Sequence, residues 1–143
     1  MKKLTLVFLV VILCLSLVGC NGTVAPETNA DKVEIKAVLQ NFFLAINDQN
    51  WSEAKGYCVY GSDAWFLVES IEDAMDTLYY YYYVITINCF VNISNESVNG
   101  NYGSAKVAGN IVMTADGYTE TESINSTFRL QKIGNDWQIY GTN

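Results

Sequence analysis

Between residues 119 and 131 the chain shows its clearest alternation. Thr119, Thr121, Ser123, Asn125, Thr127, Arg129 and Gln131 are polar, whereas Ile124, Phe128 and Leu130 are apolar. Successive side chains of a strand point to opposite faces of its sheet, so a period of two predicts one dry face and one wet face. The chain must therefore build a sheet and cover it on a single side. Asn99-Gly100 and Asp116-Gly117 are hairpin-type turn dipeptides, and Gly134-Asn135-Asp136 marks a third turn. Between the first two, Ala105, Val107, Ile111 and Met113 form the inner face of a second long strand. Upstream, the aromatic and β-branched run from Tyr79 to Ile93 predicts another, with Tyr81, Tyr83, Ile85, Ile87, Cys89, Val91 and Ile93 on one side. Trp137 to Gly141 predicts the last.

What covers the sheet comes first in the chain. From Asp31, the residues Ile35, Val38, Leu39, Phe42 and Ile46 recur at helical spacing, and Val33 and Phe43 widen the stripe. Asp48-Gln49-Asn50 ends that helix. Asn50 with Glu53 three residues on predicts a capped second helix, its inner side formed by Trp51, Ala54, Tyr57 and Cys58. Tyr60 to Ser62 is a break, and Asp63 to Val68 reads equally as strand or helix. Ser70 with Asp73 predicts the start of a third helix carrying Ile71, Ala74, Met75 and Leu78 inward. The fold class is α+β: three N-terminal helices packed on one side of a curved, mainly antiparallel sheet.

The order of elements and two signatures resemble the nuclear transport factor 2-like superfamily, also described as cystatin-like or cone-shaped. One signature is Asp48, Trp51 and Ala54 at the helix junction. The other is Leu130, Lys132, Gly134, Trp137 and Ile139 at the end of the chain. The resemblance spans residues 31 to 143, and neither signature is catalytic. It implies a cavity between helices and sheet, where relatives such as ketosteroid isomerases and polyketide cyclases do acid–base chemistry with an aspartate and a tyrosine.

The N-terminus speaks to location. Lys2 and Lys3 precede an apolar stretch from Leu4 to Val18, too short at ~22 Å to cross a ~30 Å bilayer core and suited to a signal segment. Leu17-Val18-Gly19-Cys20 resembles the lipobox of prokaryotic lipoproteins, which implies cleavage before Cys20 and lipidation of its thiol. The predicted organisation is a signal peptide (1–19), a lipidated cysteine with a flexible tether (20–30) and a single domain (31–143). The predicted location is the extracytoplasmic face of the cell membrane, held by the lipid anchor.

Composition removes several function classes. Without Lys2 and Lys3, 6 of the 8 basic residues face 15 acidic ones, a net charge of −9. That excludes nucleic acid as a partner, because phosphate backbones require clustered Lys and Arg. The chain has no histidine, so Ser-His-Asp and Cys-His catalysis and histidine metal sites are excluded. Asp73 and Asp76 supply too few oxygen ligands for a cation; no metal or cofactor is predicted. Cys58 and Cys89 leave two readings open, one disulfide or two buried thiols.

The candidate catalytic residues are Glu120 and Glu122, which share the inward register of Ile124 and Phe128, with Tyr81 and Tyr83 as donors. Their position near the Asp116-Gly117 turn favours solvated glutamates over a desolvated base. The five tyrosines from Tyr79 to Tyr83 are read as sheet packing in preference to a platform for a sugar or aromatic ligand. The sequence thus predicts a non-catalytic envelope lipoprotein that binds a small ligand or an envelope protein. An isomerase- or cyclase-like enzyme and a purely structural envelope component are the alternatives.

Overall fold

The computed structural model describes residues 29–143; the signal segment, Cys20 and the tether as far as Thr28 lie outside the described residues. The first described helix, α1, is Asn29–Asn47 and so begins two residues earlier than the Asp31 start expected. It buries Ile35, Leu39, Phe42, Phe43, Ala45 and Ile46. Val33 does not belong to this stripe and is 65% exposed. It lies two residues before Ile35, about 200° round the helix.

Both ends of α1 are tied to the sheet. At the start, the Asp31 carboxylate accepts hydrogen bonds from Lys132 Nζ at 2.7 Å and Trp137 Nε1 at 3.1 Å. At the end, Asn47 Oδ1 accepts the Cys89 N–H at 2.6 Å, and Gln49 Nε2 donates to the Ile85 carbonyl at 3.0 Å. Helix and sheet are therefore aligned over ~28 Å, the length of 19 helical residues.

Helix α2, Trp51–Gly56, starts at the expected cap: Asn50 Oδ1 accepts the Glu53 N–H at 3.3 Å, and Asn50 Nδ2 donates to Glu53 Oε2 at 2.8 Å. After it, the Tyr57 carbonyl accepts the Ile139 N–H and the Val59 N–H donates to the Ile139 carbonyl, both at 2.8 Å. Helix α3, Asp63–Tyr79, starts seven residues earlier than the Ser70 start expected. Ser62 is its cap, Oγ accepting the Trp65 N–H at 3.3 Å, and Ser70 Oγ instead donates to the Phe66 carbonyl within the helix. Ala64, Leu67, Val68, Ile71, Met75 and Leu78 form its buried stripe; Ala74, expected inward, is half-buried.

Four strands follow, β1 (Ile85–Asn99), β2 (Tyr102–Ala115), β3 (Tyr118–Ile133) and β4 (Asp136–Thr142), in the antiparallel order β1-β2-β3-β4. Asp116 and Gly117, at φ 47° and 87°, make the turn with both central residues left-handed that suits strand twist. The inner face carries Ile87, Ile93, Ala105, Val107, Met113, Phe128, Leu130 and Ile139, each buried. The outer face carries the polar set of β3, with Thr119, Thr121, Ser123 and Asn125 exposed. Gly109 sits where a Cβ would lie 2.0 Å from the Phe90 carbonyl oxygen, so only glycine fits there.

The tyrosine run is not strand. Tyr79 closes α3, and the Leu78 carbonyl accepts the N–H groups of Tyr81 and Tyr82. β2 ends at Ala115, opposite Ile85, so residues 79–84 face no strand to pair with. Pairing, not propensity, decides the strand start.

The register yields a direct test. Phe128 is 1% exposed and its ring lies 5.5 Å from Phe43 and 6.2 Å from Phe42. Phe128→Ala should cost ~3–5 kcal/mol in urea unfolding, whereas Thr121→Lys on the outer face should stay within ~0.5 kcal/mol. Equal losses at both positions would contradict the register.

Candidate functional site

The space between helices and sheet is nearly filled. A cavity of about 30 Å³ remains, lined by Phe42, Phe43, Ile46, Leu67, Ile71, Ile87, Cys89, Ile111, Ile124 and Phe128. Pockets for small molecules run to roughly 300–1,000 Å³ and carry convergent polar groups. This one has about a tenth of the smaller volume, and apart from one thiol its walls offer water no partner.

Neither candidate glutamate lines it. Glu122 pairs with Ile111 across β2 and β3 yet is exposed, and Glu120, opposite Met113, is half-buried. The inward register expected for both is present, but neither carboxylate reaches the cavity lining. Tyr83 is 95% exposed and Tyr81 about half exposed. The structure brings Tyr83 and Asp116 together: the Asp116 carboxylate accepts the N–H groups of Tyr83 (3.1 Å) and Val84 (2.9 Å), and its own N–H donates to the Val84 carbonyl (2.9 Å). Sequence reading took Asp116 for a turn residue only; its side chain also fixes the tyrosine loop. Of the packing into core and sheet expected for the run, Tyr82 shows it, partly buried against the core, whereas Tyr79, Tyr80, Tyr81 and Tyr83 are exposed.

A second space, about 470 Å³, lies between α1 and the outer edge of β1, where Lys36, Gln40, Asn41, Leu44, Val91 and Asn92 are among its walls. Its amides can exchange hydrogen bonds, but its ionisable groups are Lys36, paired with Glu96 at 3.6 Å, and the buried Cys89 thiol. No acid–base pair is assembled there. Among the described residues no group of three or more His, Cys, Asp or Glu side chains that could hold a metal ion occurs, and Asp73 and Asp76 on α3 belong to none.

Cys58 and Cys89 are free thiols, both buried. Cys89 is on β1 and Cys58 bridges to Ile139 on β4, the opposite side of the sheet. Three strand spacings of ~4.8 Å separate β1 from β4, well beyond the ~7 Å a disulfide spans. Of the two readings left open, the structure has the two buried thiols. Burial pushes each thiol up to about 12. Two surface ammonium groups are also held above their usual range: Lys132 mainly by its hydrogen bond to Asp31, and Lys55 mainly by its hydrogen bond to Glu72, which joins α2 to α3.

No protein-family model and no curated protein matches the sequence. Solved structures do match the fold. A protein of unknown function from Mycobacterium tuberculosis superposes with a TM-score of 0.62 at 15% identity, over 79% of this chain and 69% of that one. A putative dehydratase from the NTF2-like family of Streptomyces avermitilis gives 0.61 at 11% identity, over 80% and 95%. A ketosteroid isomerase-like protein from Erwinia carotovora atroseptica gives 0.59 at 14% identity, over 80% and 95%. The described domain has the nuclear transport factor 2-like, cystatin-like fold. At these identities the likeness is one of fold.

The thiols give a reactivity test with a defined sign. A thiol protonated to about 12 in the fold but ionising near 9 once exposed leaves the unfolded chain with fewer bound protons between those values. Stability must then fall as pH rises through that window. At pH 8 neither Cys58 nor Cys89 should react with a disulfide reagent in the native protein, and both should react in guanidinium. The fall in urea stability above pH 9 should be less steep in Cys58→Ala. Rapid native labelling would contradict the burial of both thiols.

Proposed function

We propose that the chain is a membrane-anchored envelope lipoprotein whose cystatin-like domain is a non-catalytic binding module. The observation that carries the non-catalytic part is the make-up of the space under the sheet: a 30 Å³ cavity with no carboxylate, hydroxyl or amine in its walls and one thiol, Cys89, that burial keeps protonated. General acid–base chemistry needs a carboxylate within hydrogen-bond reach of a bound substrate and a site that excludes water. Here Glu122 is in solvent, and Tyr83 is almost fully exposed. The names of two structural neighbours, a putative dehydratase and a ketosteroid isomerase-like protein, favour the enzymatic alternative. The chemistry they suggest has no counterpart in this chain's apolar interior.

The anchor rests on the sequence. Leu17-Val18-Gly19-Cys20 follows an apolar stretch of signal length, and the polar segment after it leads into α1. Two or three acyl chains hold a protein stably where one holds it marginally. Among the described residues no helix is long and apolar enough to cross a membrane.

Metabolic labelling with a radioactive fatty acid, followed by fractionation, tests the proposal. Wild-type chain should be labelled and membrane-bound, and Cys20→Ser should lose the label. Label persisting in Cys20→Ser, or a wild-type chain without label, would overturn the lipoprotein reading.

A further inference from the structure

The tyrosine loop is an ordered display of aromatic rings in solvent, and its place in the fold is specific. Tyr80 is 84% exposed and Tyr83 95%, with Val84 and Tyr118 also exposed beside them. Two anchors hold the segment: the Leu78 carbonyl before it, and the Asp116 carboxylate, which accepts the Tyr83 and Val84 N–H groups. The Tyr80 and Tyr81 rings meet edge to face at 5.1 Å. Exposed rings clustered on a fixed loop lower the ordering cost of binding, and a patch of this kind marks an interaction site.

The loop stands at the opposite end of the described domain from the start of α1. The start of α1 bonds to Lys132 and Trp137, whereas the loop meets the Asp116-Gly117 turn and the start of β1. The length of α1, ~28 Å, separates the two ends. On the lipoprotein reading, on which this part rests, the chain enters at one end and the tyrosines face away from the membrane.

The chemistry of the loop selects its partner. Residues 79–84 carry no lysine or arginine, and the adjoining turn supplies Asp116. Binding to an anionic bilayer draws on Lys and Arg, which the loop lacks. Tyrosine offers a flat apolar face together with a hydroxyl that donates and accepts. A saccharide ring presents the complement, an apolar C–H face rimmed by hydroxyl and amide groups. We propose that this loop docks the domain on the glycan strands of the cell wall, with Tyr80 and Tyr83 stacking on successive sugar rings.

Sedimentation of the full chain in non-ionic detergent with purified, protease-treated peptidoglycan sacculi tests this. The wild type should co-sediment. Tyr80→Ser/Tyr83→Ser should bind at least about tenfold more weakly, the loss expected of two stacking contacts, with an unchanged melting temperature. Phe90→Ala, on the outer sheet face, should bind as wild type. Absence of binding, or binding indifferent to the two substitutions, would overturn the proposal. So would tyrosine-dependent capture by phosphatidylglycerol vesicles in place of sacculi, or binding only to sacculi that retain wall proteins. The assay does not use the anchor: binding without fatty-acid labelling would sink the lipoprotein reading alone, and labelling without binding would sink the docking alone.

Discussion

The packing of Phe42 and Phe43 against Phe128 organises the rest of the domain. Two adjacent residues of α1 close on one residue of β3, with ring centroids 5.2–6.2 Å apart. Such pairs add ~0.5–1.5 kcal/mol beyond their area burial. Their larger consequence is spatial: three aromatic rings occupy the region where a helix-covered sheet would otherwise leave a cavity. Ile46, Ile71, Ile87 and Ile124 fill most of what remains.

The polar ties at the ends of α1 set direction, whereas the apolar residues of helices and sheet supply the burial. Asp31 joins the helix start to Lys132 and Trp137, and Asn47 and Gln49 join its end to the edge of β1. The Asp31–Lys132 pair lies in partly exposed surroundings, where an ion pair is worth little by itself. Its effect is to fix which end of the helix meets which end of the sheet. That alignment separates the segment leading to the tether from the tyrosine loop, and leaves the chemistry of the domain at its surface.

Much of this was legible in residues. The alternation from Thr119 to Gln131 set the register of β3, and the Asp116-Gly117 and Asn99-Gly100 dipeptides located the hairpins, because both signals are local. The errors have a common origin in long-range partners. The run from Tyr79 to Tyr83 has strand composition, but strand formation needs a neighbour, and β2 stops at Ala115. The span from Asp63 to Val68 is a continuous apolar run whose period is unreadable until Ile71, Met75 and Leu78 are counted with it. Glu120 and Glu122 share the inward register, and the difference between them, half-buried and exposed, depends on surroundings that the register does not encode. The separation of Cys58 from Cys89 is a property of strand order, which no spacing along the chain encodes.

The central claim is that the interior of this cystatin-like domain is closed to water and to polar substrates. Nuclear Overhauser contacts between water and the methyl groups of Ile46, Ile71, Ile87, Ile111 and Ile124 measure it directly. A dry interior predicts no long-lived water contact at any of these five methyl-bearing residues. Contacts from bound water reaching several of them would mean a hydrated cavity, and would contradict the account of an interior filled by apolar side chains.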